Sequence, residues 1–309
     1  MKSFVTLMLC LLSMTTFAQV HDEITSAMEE FDYDINLISP GTKDSLLLST
    51  RIQALKAMNR YPEAIVDLTS LFVKDTTDTK ILIDLAECYK LMGSPRQAAD
   101  YYRKAVSLRP NTKFFRLQYI RSLLNAENFK EARDACHGWL EQDTVSATGY
   151  KYLGQAYEGR QDIPNAFFSY NVAYRRDSLD AQTVARIANI FNNNRQFTDA
   201  IDVTECYRLS DTTSVDVNRQ NAKAYCMLKD YKKAIERYES LKRMGDRSFL
   251  TFYYLGISYY GDNWFYGSYD NLKEAYAKNS TDINVLYYYA KSCSRTSWKK
   301  EGVEFMEKA

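Results

Sequence analysis

The stretch KDTTD, Lys74 to Asp78, is a short polar loop of a kind that returns along the chain. Similar loops begin at Asp143, Asp177, Asp211 and Asn279. The equivalent positions are 75, 109, 143, 177, 211, 245 and 279, so each step is 34 residues. A fixed period of this length is the sequence signature of a repeat architecture. A frame that starts at residue 45 gives blocks at 45, 79, 113, 147, 181, 215, 249 and 283 without an insertion or deletion.

Equivalent positions of the blocks carry side chains of similar size. Position 20 is small in every block: Ala64, Ala98, Ala132, Ala166, Ala200, Ala234, Ser268 and Gly302. Position 8 is mostly small and position 11 mostly large, as Gly154 and Tyr157 illustrate. Small residues at fixed places let two helix backbones approach, and large ones fill the space beside them. The columns therefore predict a repeated pair of packed helices.

Each block contains two amphipathic stripes. Positions 4, 7, 8 and 11 have the spacing of one helical face, and positions 17, 20, 24 and 27 have that of a second helix. Pro62, Pro95 and Pro164 fall in the first turn of the second helix, where a missing N–H costs little. We expect two antiparallel helices of about 13 residues per block. One pair cannot bury its own apolar face, so the blocks should stack, with the polar loop capping the next helix.

Three segments resemble those of a known repeat family: LGQAY (Leu153 to Tyr157) and YYLGISY (Tyr253 to Tyr259) in first helices, and YKKAIERY (Tyr231 to Tyr238) in a second helix. Together with the period they resemble the tetratricopeptide repeat, from Ser45 to Ala309. The resemblance implies an all-α fold, a right-handed superhelical solenoid of about eight antiparallel helix pairs. The family's proline at position 32 is present only as Pro110. The implied repeats are 45–78, 79–112, 113–146, 147–180, 181–214, 215–248, 249–282 and 283–309.

Some parts of the chain depart from the repeat pattern. Repeat 6 has Asn218 and Asn221 at normally apolar places. Repeat 8 stops at position 27, so its last helix should be short, and self-association through that open end is one expectation. Residues 20–44 precede the first repeat and should form an N-terminal cap segment with one helix around Asp22 to Ile35.

The first residues have the layout of a secretory signal peptide. Lys2 is followed by an apolar stretch and then by small residues, so we expect cleavage after Ala18 or Gln19, at the end of a 1–19 signal segment. The mature protein should then be exported, either periplasmic or secreted, without a membrane span. One alternative is a membrane anchor, for which the apolar stretch is short. Another is a lipoprotein processed at Cys10, but a leucine precedes that cysteine where a small residue is expected.

The charge balance argues against a nucleic-acid partner. The chain has 40 Lys and Arg against 39 Asp and Glu, and removal of Lys2 with the signal leaves 40 − 1 = 39 cations against 39 anions. Neutralisation of phosphates supplies most of the affinity for nucleic acids, and no basic run is present.

Five cysteines remain after removal of the signal: Cys88, Cys136, Cys206, Cys226 and Cys293. An exported chain could hold disulfides, but the number is odd and no CxxC pair occurs. We interpret the cysteines as small hydrophobes on helices and leave their pairing open.

Catalytic and metal-binding motifs are sparse. His21 and His137 are the only histidines, and neither has a histidine at i+4. The sequence has no Gly-rich phosphate loop and no GxSxG, and its carboxylates are evenly spread. We therefore predict a protein that is not an enzyme, with no cofactor and no metal.

The first helices also carry a stripe about opposite the apolar one, near positions 2, 5, 9 and 13. In the tetratricopeptide-repeat family this stripe lines a concave surface that holds extended peptides or partner helices. Its first part is mixed: Gln53, Lys80, Glu87 and Arg121. Its middle part is polar and basic: Lys151, Gln155, Arg186, Asn189, Asn192, Arg219 and Lys223. Its last part is rich in tyrosine: Tyr253, Tyr254, Tyr260, Tyr287 and Tyr288, with Lys291.

These features favour an exported, non-enzymatic scaffold that binds a protein or peptide segment, with cell-envelope components among the candidate partners. Tyrosine gives large contact area and a polar tip at low entropy cost. One alternative is a carbohydrate- or peptidoglycan-binding module that uses the tyrosines of the C-terminal repeats. Another is that neighbouring helices bury the tyrosines against each other. The family's charged clamp for a terminal carboxylate is not matched, most clearly at Asp216, where a lysine would stand.

Overall fold

The computed structural model describes residues 45–300 and 302–303, and within these residues all regular structure is helical. The expected signal segment 1–19 and cap segment 20–44 lie outside the described residues, as does most of the end of repeat 8 after residue 300. The all-α prediction is confirmed. The fifteen helices that the structure describes are α1 Ser45–Ala57, α2 Tyr61–Lys74, α3 Thr79–Leu91, α4 Pro95–Leu108, α5 Lys113–Asn125, α6 Phe129–Leu140, α7 Ala147–Gly159, α8 Ile163–Arg176, α9 Ala181–Asn193, α10 Phe197–Arg208, α11 Val215–Met227, α12 Tyr231–Arg243, α13 Phe249–Gly261, α14 Phe265–Lys278 and α15 Ile283–Ser294.

The described chain divides into two compact units, one that ends at Glu131 and one that begins at Ala132. The first unit holds α1 to α5, the second holds α7 to α15, and α6 contains the boundary. In repeats 4 to 7 of the second unit, each first helix packs on its own second helix. Successive first helices α9, α11, α13 and α15 also pack on one another.

The recurring polar loop ends one helix and caps the next. The Asp75 carboxylate accepts hydrogen bonds from the N–H and hydroxyl of Thr77, at 2.8 and 2.7 Å, and Asp211 and Thr213 repeat this arrangement. The last residue of the loop then accepts from the first turn of the next helix: Asp78, Ser146, Asp180, Ser214, Ser248 and Asp282 all do so. These bonds satisfy backbone N–H groups that have no partner inside the helix, so the loop fixes where these six first helices begin.

The turn inside each repeat has one left-handed residue at position 15. These residues have φ between 56° and 73° and recur every 34 residues: Asn59, Gly93, Glu127, Gln161, Arg195, Lys229 and Asn263. The following N–H donates to the carbonyl at position 11, as Asp162 does to Tyr157 at 2.9 Å. This is the Schellman closure of a helix, which usually has glycine at the left-handed place. Here glycine occupies it only in repeat 2 among the seven described turns.

Small residues occur where the two helices of a repeat cross. A Cβ on Gly154 would lie 2.6 Å from the ring of Tyr170, and one on Gly256 would lie 2.5 Å from Leu272 Cγ. The position-20 residues from Ala64 to Ser268 are fully buried. Positions 8 and 20 are therefore small because the facing helix occupies the space that a larger side chain would need.

Asn221 is fully buried although it stands at a normally apolar place in repeat 6. Its Nδ2 donates to Thr204 Oγ1 at 2.9 Å and to Glu205 Oε1 at 3.1 Å, and its Oδ1 accepts from Arg237 Nε at 3.2 Å. A buried polar group is tolerated when its hydrogen bonds are made. Repeats 5 and 6 are thus joined by a buried polar network.

Candidate functional site

The candidate binding residues of repeats 4 to 8 lie on α7, α9, α11, α13 and α15, all in the second unit. We call this set the first-helix face, defined by Lys151, Gln155, Arg186, Asn189, Asn192, Arg219, Lys223, Tyr253, Tyr254, Tyr260, Tyr287, Tyr288 and Lys291. The four residues of the mixed part, Gln53, Lys80, Glu87 and Arg121, belong to the first unit and are described separately.

Three cations of the middle part are held in ion pairs within the chain. Lys151 Nζ lies 2.9 Å from Asp180 Oδ1, Arg186 Nη1 lies 3.0 Å from Glu158 Oε1, and Arg219 Nη2 lies 2.9 Å from an Asp246 carboxylate oxygen. The sequence-based description of this part as basic is therefore corrected. Most of its positive charge is neutralised by carboxylates that lie 27 to 29 residues away.

Hydrogen bonds hold the pKa of two of these carboxyl groups below its ordinary value. Burial acts to raise the pKa of Asp180, but the bonds from Thr183 and Lys151 outweigh it. Burial likewise acts to raise the pKa of Asp246, and bonds from Thr251, Ser248 and Arg219 outweigh it. Both groups stay ionised because the charged form is the one that receives these bonds.

The amides of the middle part differ in accessibility. Asn192 is buried, and its Nδ2 donates to the backbone carbonyl of Gln220 at 3.0 Å and to its side-chain oxygen at 3.1 Å. It therefore links α9 to α11. Gln155 and Asn189 are partly buried.

Lys223 is half-buried on α11, and its Nζ donates to Asn193 Oδ1 on α9 at 3.3 Å. Among the described residues no carboxylate lies within ion-pairing distance of it. Burial lowers the pKa of Lys223, because the protein around it solvates the charge less well than water does. It is a cation without the acidic partner that its three neighbours have.

Two tyrosines of the last part are packed against other rings. Tyr253 stacks on Phe249 with centroids 5.8 Å apart, and Tyr254 stacks on Tyr238 at 6.2 Å. Burial raises the pKa of both hydroxyls. These two side chains contribute substantially to the core, as the packing alternative for the tyrosines expected, and each keeps only part of its surface accessible.

Lys291 lies among three tyrosines at the end of the face. Its ammonium is 4.7 Å from the ring centroid of Tyr287, 5.3 Å from that of Tyr260 and 5.9 Å from that of Tyr288. It also donates to Tyr287 Oη at 3.0 Å. Ring faces attract a cation through their quadrupole, so the three tyrosines orient Lys291 without neutralising it. Tyr287 remains 42% exposed.

The mixed part in the first unit also contains an ion pair that sequence reasoning missed. Lys56 Nζ lies 2.6 Å from Asp84 Oδ1 and 3.6 Å from Glu87 Oε2. Glu87 thus has an internal cationic neighbour. Lys80 and Arg121 are exposed, and so is Gln53.

Comparisons with known proteins give structural matches only. No protein-family model matches the sequence, and no curated protein is detectably similar to it. A tetratricopeptide repeat protein from Parabacteroides merdae is similar in structure, with a TM-score of 0.54 and 12% identity over 74% of this chain and 91% of that one. A chain of the APC/C hetero-tetramer Cut9–Hcn1 gives a TM-score of 0.56 at 13% identity, over 90% of this chain and 55% of that one.

The chain has the tetratricopeptide-repeat fold. Both structural relatives are below 25% identical, so the likeness concerns the fold alone. The first helices of this tetratricopeptide-repeat array carry the first-helix face, and the turns and caps described above hold them in register.

Two aromatic residues flank the start of α14 in the tetratricopeptide-repeat array. Trp264 meets Tyr259 edge-on at 4.5 Å, and Tyr266 meets Trp298 of repeat 8 at 5.6 Å. Both side chains remain more than half exposed, so they combine packing with accessibility.

His137 is exposed, with its Nε2 3.2 Å from Tyr157 Oη. Within residues 45–300 and 302–303, no group of three or more His, Cys, Asp or Glu side chains is placed to hold a metal ion. No helix in these ranges is long and apolar enough to cross a membrane.

Proposed function

We propose that the protein is an exported, non-enzymatic interaction scaffold that holds a protein or peptide segment on the first-helix face of repeats 4 to 8. The observation that carries the proposal is the half-exposed Tyr287, which lies beside partly buried Tyr260 and Tyr288 and the unneutralised Lys291. Aromatic side chains with a polar tip are enriched where proteins bind each other. The tetratricopeptide-repeat fold supports the proposal, because its relative Cut9 was solved in a complex with another protein.

Carbohydrate binding is the weaker alternative for the same tyrosines. Stacking on a sugar requires a free aromatic face. One face of Tyr253 is taken by Phe249 and one face of Tyr254 by Tyr238. The ring of Tyr287 already has the Lys291 ammonium near it.

Export is the other element of the proposal, and it rests on the layout of residues 1–19. Expression of the full chain in a Gram-negative host, followed by fractionation and N-terminal sequencing, tests it. A mature N-terminus at Gln19 or Val20 in the periplasm or medium supports export. Uncleaved protein that stays in the cytoplasm overturns it.

The binding proposal is tested by affinity capture from an envelope extract, followed by reconstitution with the purified partner. Tyr287→Ala should lose the partner, because truncation removes the exposed part of the tyrosine cluster. Tyr266→Ala is the matched control, since Tyr266 is 53% exposed in the same unit but lies outside the face. Equal binding by wild type and Tyr287→Ala in the reconstituted system would contradict the proposed surface.

A further inference from the structure

Lys223 and Lys291 differ from the other cations of the first-helix face. Each of the others, Lys151, Arg186 and Arg219, lies within 3.0 Å of a carboxylate oxygen. The hydrogen-bond partner of Lys223 is the neutral Asn193, and that of Lys291 is the neutral Tyr287. Among the described residues, neither ammonium has a carboxylate within ion-pairing distance.

Both ammonium groups also have hydrogen-bonding capacity left. An ammonium has three N–H donors, and the bonds described above use one on each lysine. Burial holds the pKa of Lys223 below its ordinary value, so a carboxylate brought beside it would favour the charged form. A partly desolvated cation forms a stronger charge-assisted hydrogen bond than one in bulk water does.

We propose that the partner segment is an acidic stretch of protein in an extended conformation, with one carboxylate on Lys223 and a second on Lys291. This inference rests on the proposed function and names the chemistry of the partner. It does not use the charged clamp of the family, which the sequence fails to match at Asp216.

The separation of the two lysines sets the spacing of the acidic residues. Lys223 is on α11 and Lys291 on α15, and α13 packs against both helices. Packed helices lie ~8–10 Å apart, so two steps span roughly 16–20 Å. An extended chain advances ~3.3 Å per residue and its side chains alternate in direction, so the two acidic residues should lie about six positions apart, on one side of the segment.

The middle of the segment should carry no negative charge. Burial is the main cause of the raised pKa of Tyr253 and Tyr254, and the carboxylate of Asp282 adds to it. Both rings are only partly exposed on α13, which packs against both lysine-bearing helices, so a carboxylate placed there would lose water without gaining a cation. Apolar or small neutral side chains suit the partly exposed tyrosine rings better.

Selection from a library of random peptides tests the proposal directly. Phage displaying random 12-residue peptides are selected on the purified wild-type protein and on a Lys223→Gln/Lys291→Gln variant. We expect the wild type to enrich peptides with two Asp or Glu residues about six positions apart and neutral residues between them. The double variant should not enrich them. Lys232→Gln, which alters an exposed lysine on α12, is the control and should behave like the wild type.

Binding measurements with a synthetic peptide of the enriched sequence then test whether Lys223 contacts an acidic residue of the peptide. Each single change, Lys223→Gln or the matching Glu→Gln in the peptide, should weaken binding about tenfold, the size of one charge-assisted hydrogen bond. The two changes together should weaken it little further, because they remove the same contact. Affinity should also fall as salt rises. Circular dichroism and melting curves check that the variants fold, and loss of an unpaired cation should not destabilise them.

The outcomes separate this inference from the proposed function. Enrichment of peptides without an acidic pair, lost in Tyr287→Ala, overturns the inference and leaves the binding surface standing. Enrichment of the acidic pair that persists in the double lysine variant overturns the inference as well. Absence of any enriched peptide counts against both proposals.

Discussion

Arg219 donates two hydrogen bonds to one carboxylate oxygen of Asp246, from Nε at 3.2 Å and from Nη2 at 2.9 Å. Arg219 is on α11, and Asp246 lies in the loop before α13, where its side chain is only 5% exposed. Thr251 and Ser248 donate to the same carboxylate. Arg219 is therefore part of the joint between repeats 6 and 7, whatever it contributes to a partner.

Replacement of Arg219 by methionine should destabilise the protein by about 2 kcal/mol, because it leaves a buried carboxylate without its cation. The remaining bonds from Thr251 and Ser248 should limit the loss. Arg186→Met is the matched control, since the side chain of Arg186 is 44% exposed in its pair with Glu158, and it should cost under about 1 kcal/mol. Chemical denaturation measures the free energy of unfolding of both variants. Equal stability of the two variants would contradict the importance of the pair between Arg219 and buried Asp246.

Acid should destabilise the fold through carboxyl groups whose pKa is lowered in the folded state. Asp180, Glu205 and Asp246 all have a pKa below the ordinary value. A carboxyl group stabilises the fold when its pKa is lower in the folded state than in the unfolded state. This contribution is complete above the pKa of the unfolded state, about 4, and is lost as pH falls through the pKa of the folded state. The melting temperature should therefore hold down to about pH 5 and then fall. The Asp246→Asn variant should have a lower melting temperature at pH 7, and its melting temperature should fall less steeply as pH is lowered. A fall as steep as that of the wild type would argue against a contribution from Asp246.

Gly256 should not tolerate a methyl group. An added Cβ would lie 2.5 Å from Leu272 Cγ and 3.3 Å from the Leu272 backbone nitrogen, so Gly256→Ala should cost about 1–3 kcal/mol through overpacking. Gly138 is also helical, yet a Cβ there would meet nothing within 4 Å. Gly138→Ala should stabilise the protein by up to about 1 kcal/mol, the helix propensity gained. Thermal melting of the two variants should thus move in opposite directions.

Cys206 should be the reactive thiol of the native protein. It is exposed, whereas Cys88, Cys136 and Cys226 are buried, and burial raises the pKa of Cys226 to about 11. Thiolate fraction and access control reactivity. A thiol reagent should label Cys206 rapidly and the buried Cys88, Cys136, Cys226 and Cys293 only after denaturation, with Cys206→Ser as the control. Rapid labelling of Cys226 in the native state would show that its surroundings open readily.

The sequence predicted the helices well because their signal is local and repeated. Helix starts follow from Asp or Ser caps, and small positions such as Ala166 follow from the packing of two backbones. The first-helix face was harder to describe from sequence, because its basic middle part includes Arg186 and Arg219, which pair with Glu158 and Asp246 in the structure. These partners are separated by nearly one repeat, so a search for opposite charges at that spacing would have found them.

The buried hydrogen-bond network of repeat 6 could not be predicted from the sequence either. From the sequence, Asn221 is a departure from the repeat pattern, because burial of an amide without hydrogen-bond partners costs free energy. Its partners Thr204, Glu205 and Arg237 come from the helices before and after its own. Only the packing of three helices makes the amide acceptable, and no single segment contains that information.

The non-glycine residues at the left-handed turn positions carry backbone strain that glycine would relieve. A side chain at positive φ costs roughly 1 kcal/mol or more, and glycine escapes that cost at a loss of about half as much in chain entropy. Arg195→Gly and Lys229→Gly should each raise the melting temperature slightly, whereas Asn263→Gly should change it little, because asparagine tolerates this conformation. Substitutions at these turns could therefore raise the stability of the protein without altering any residue of the first-helix face.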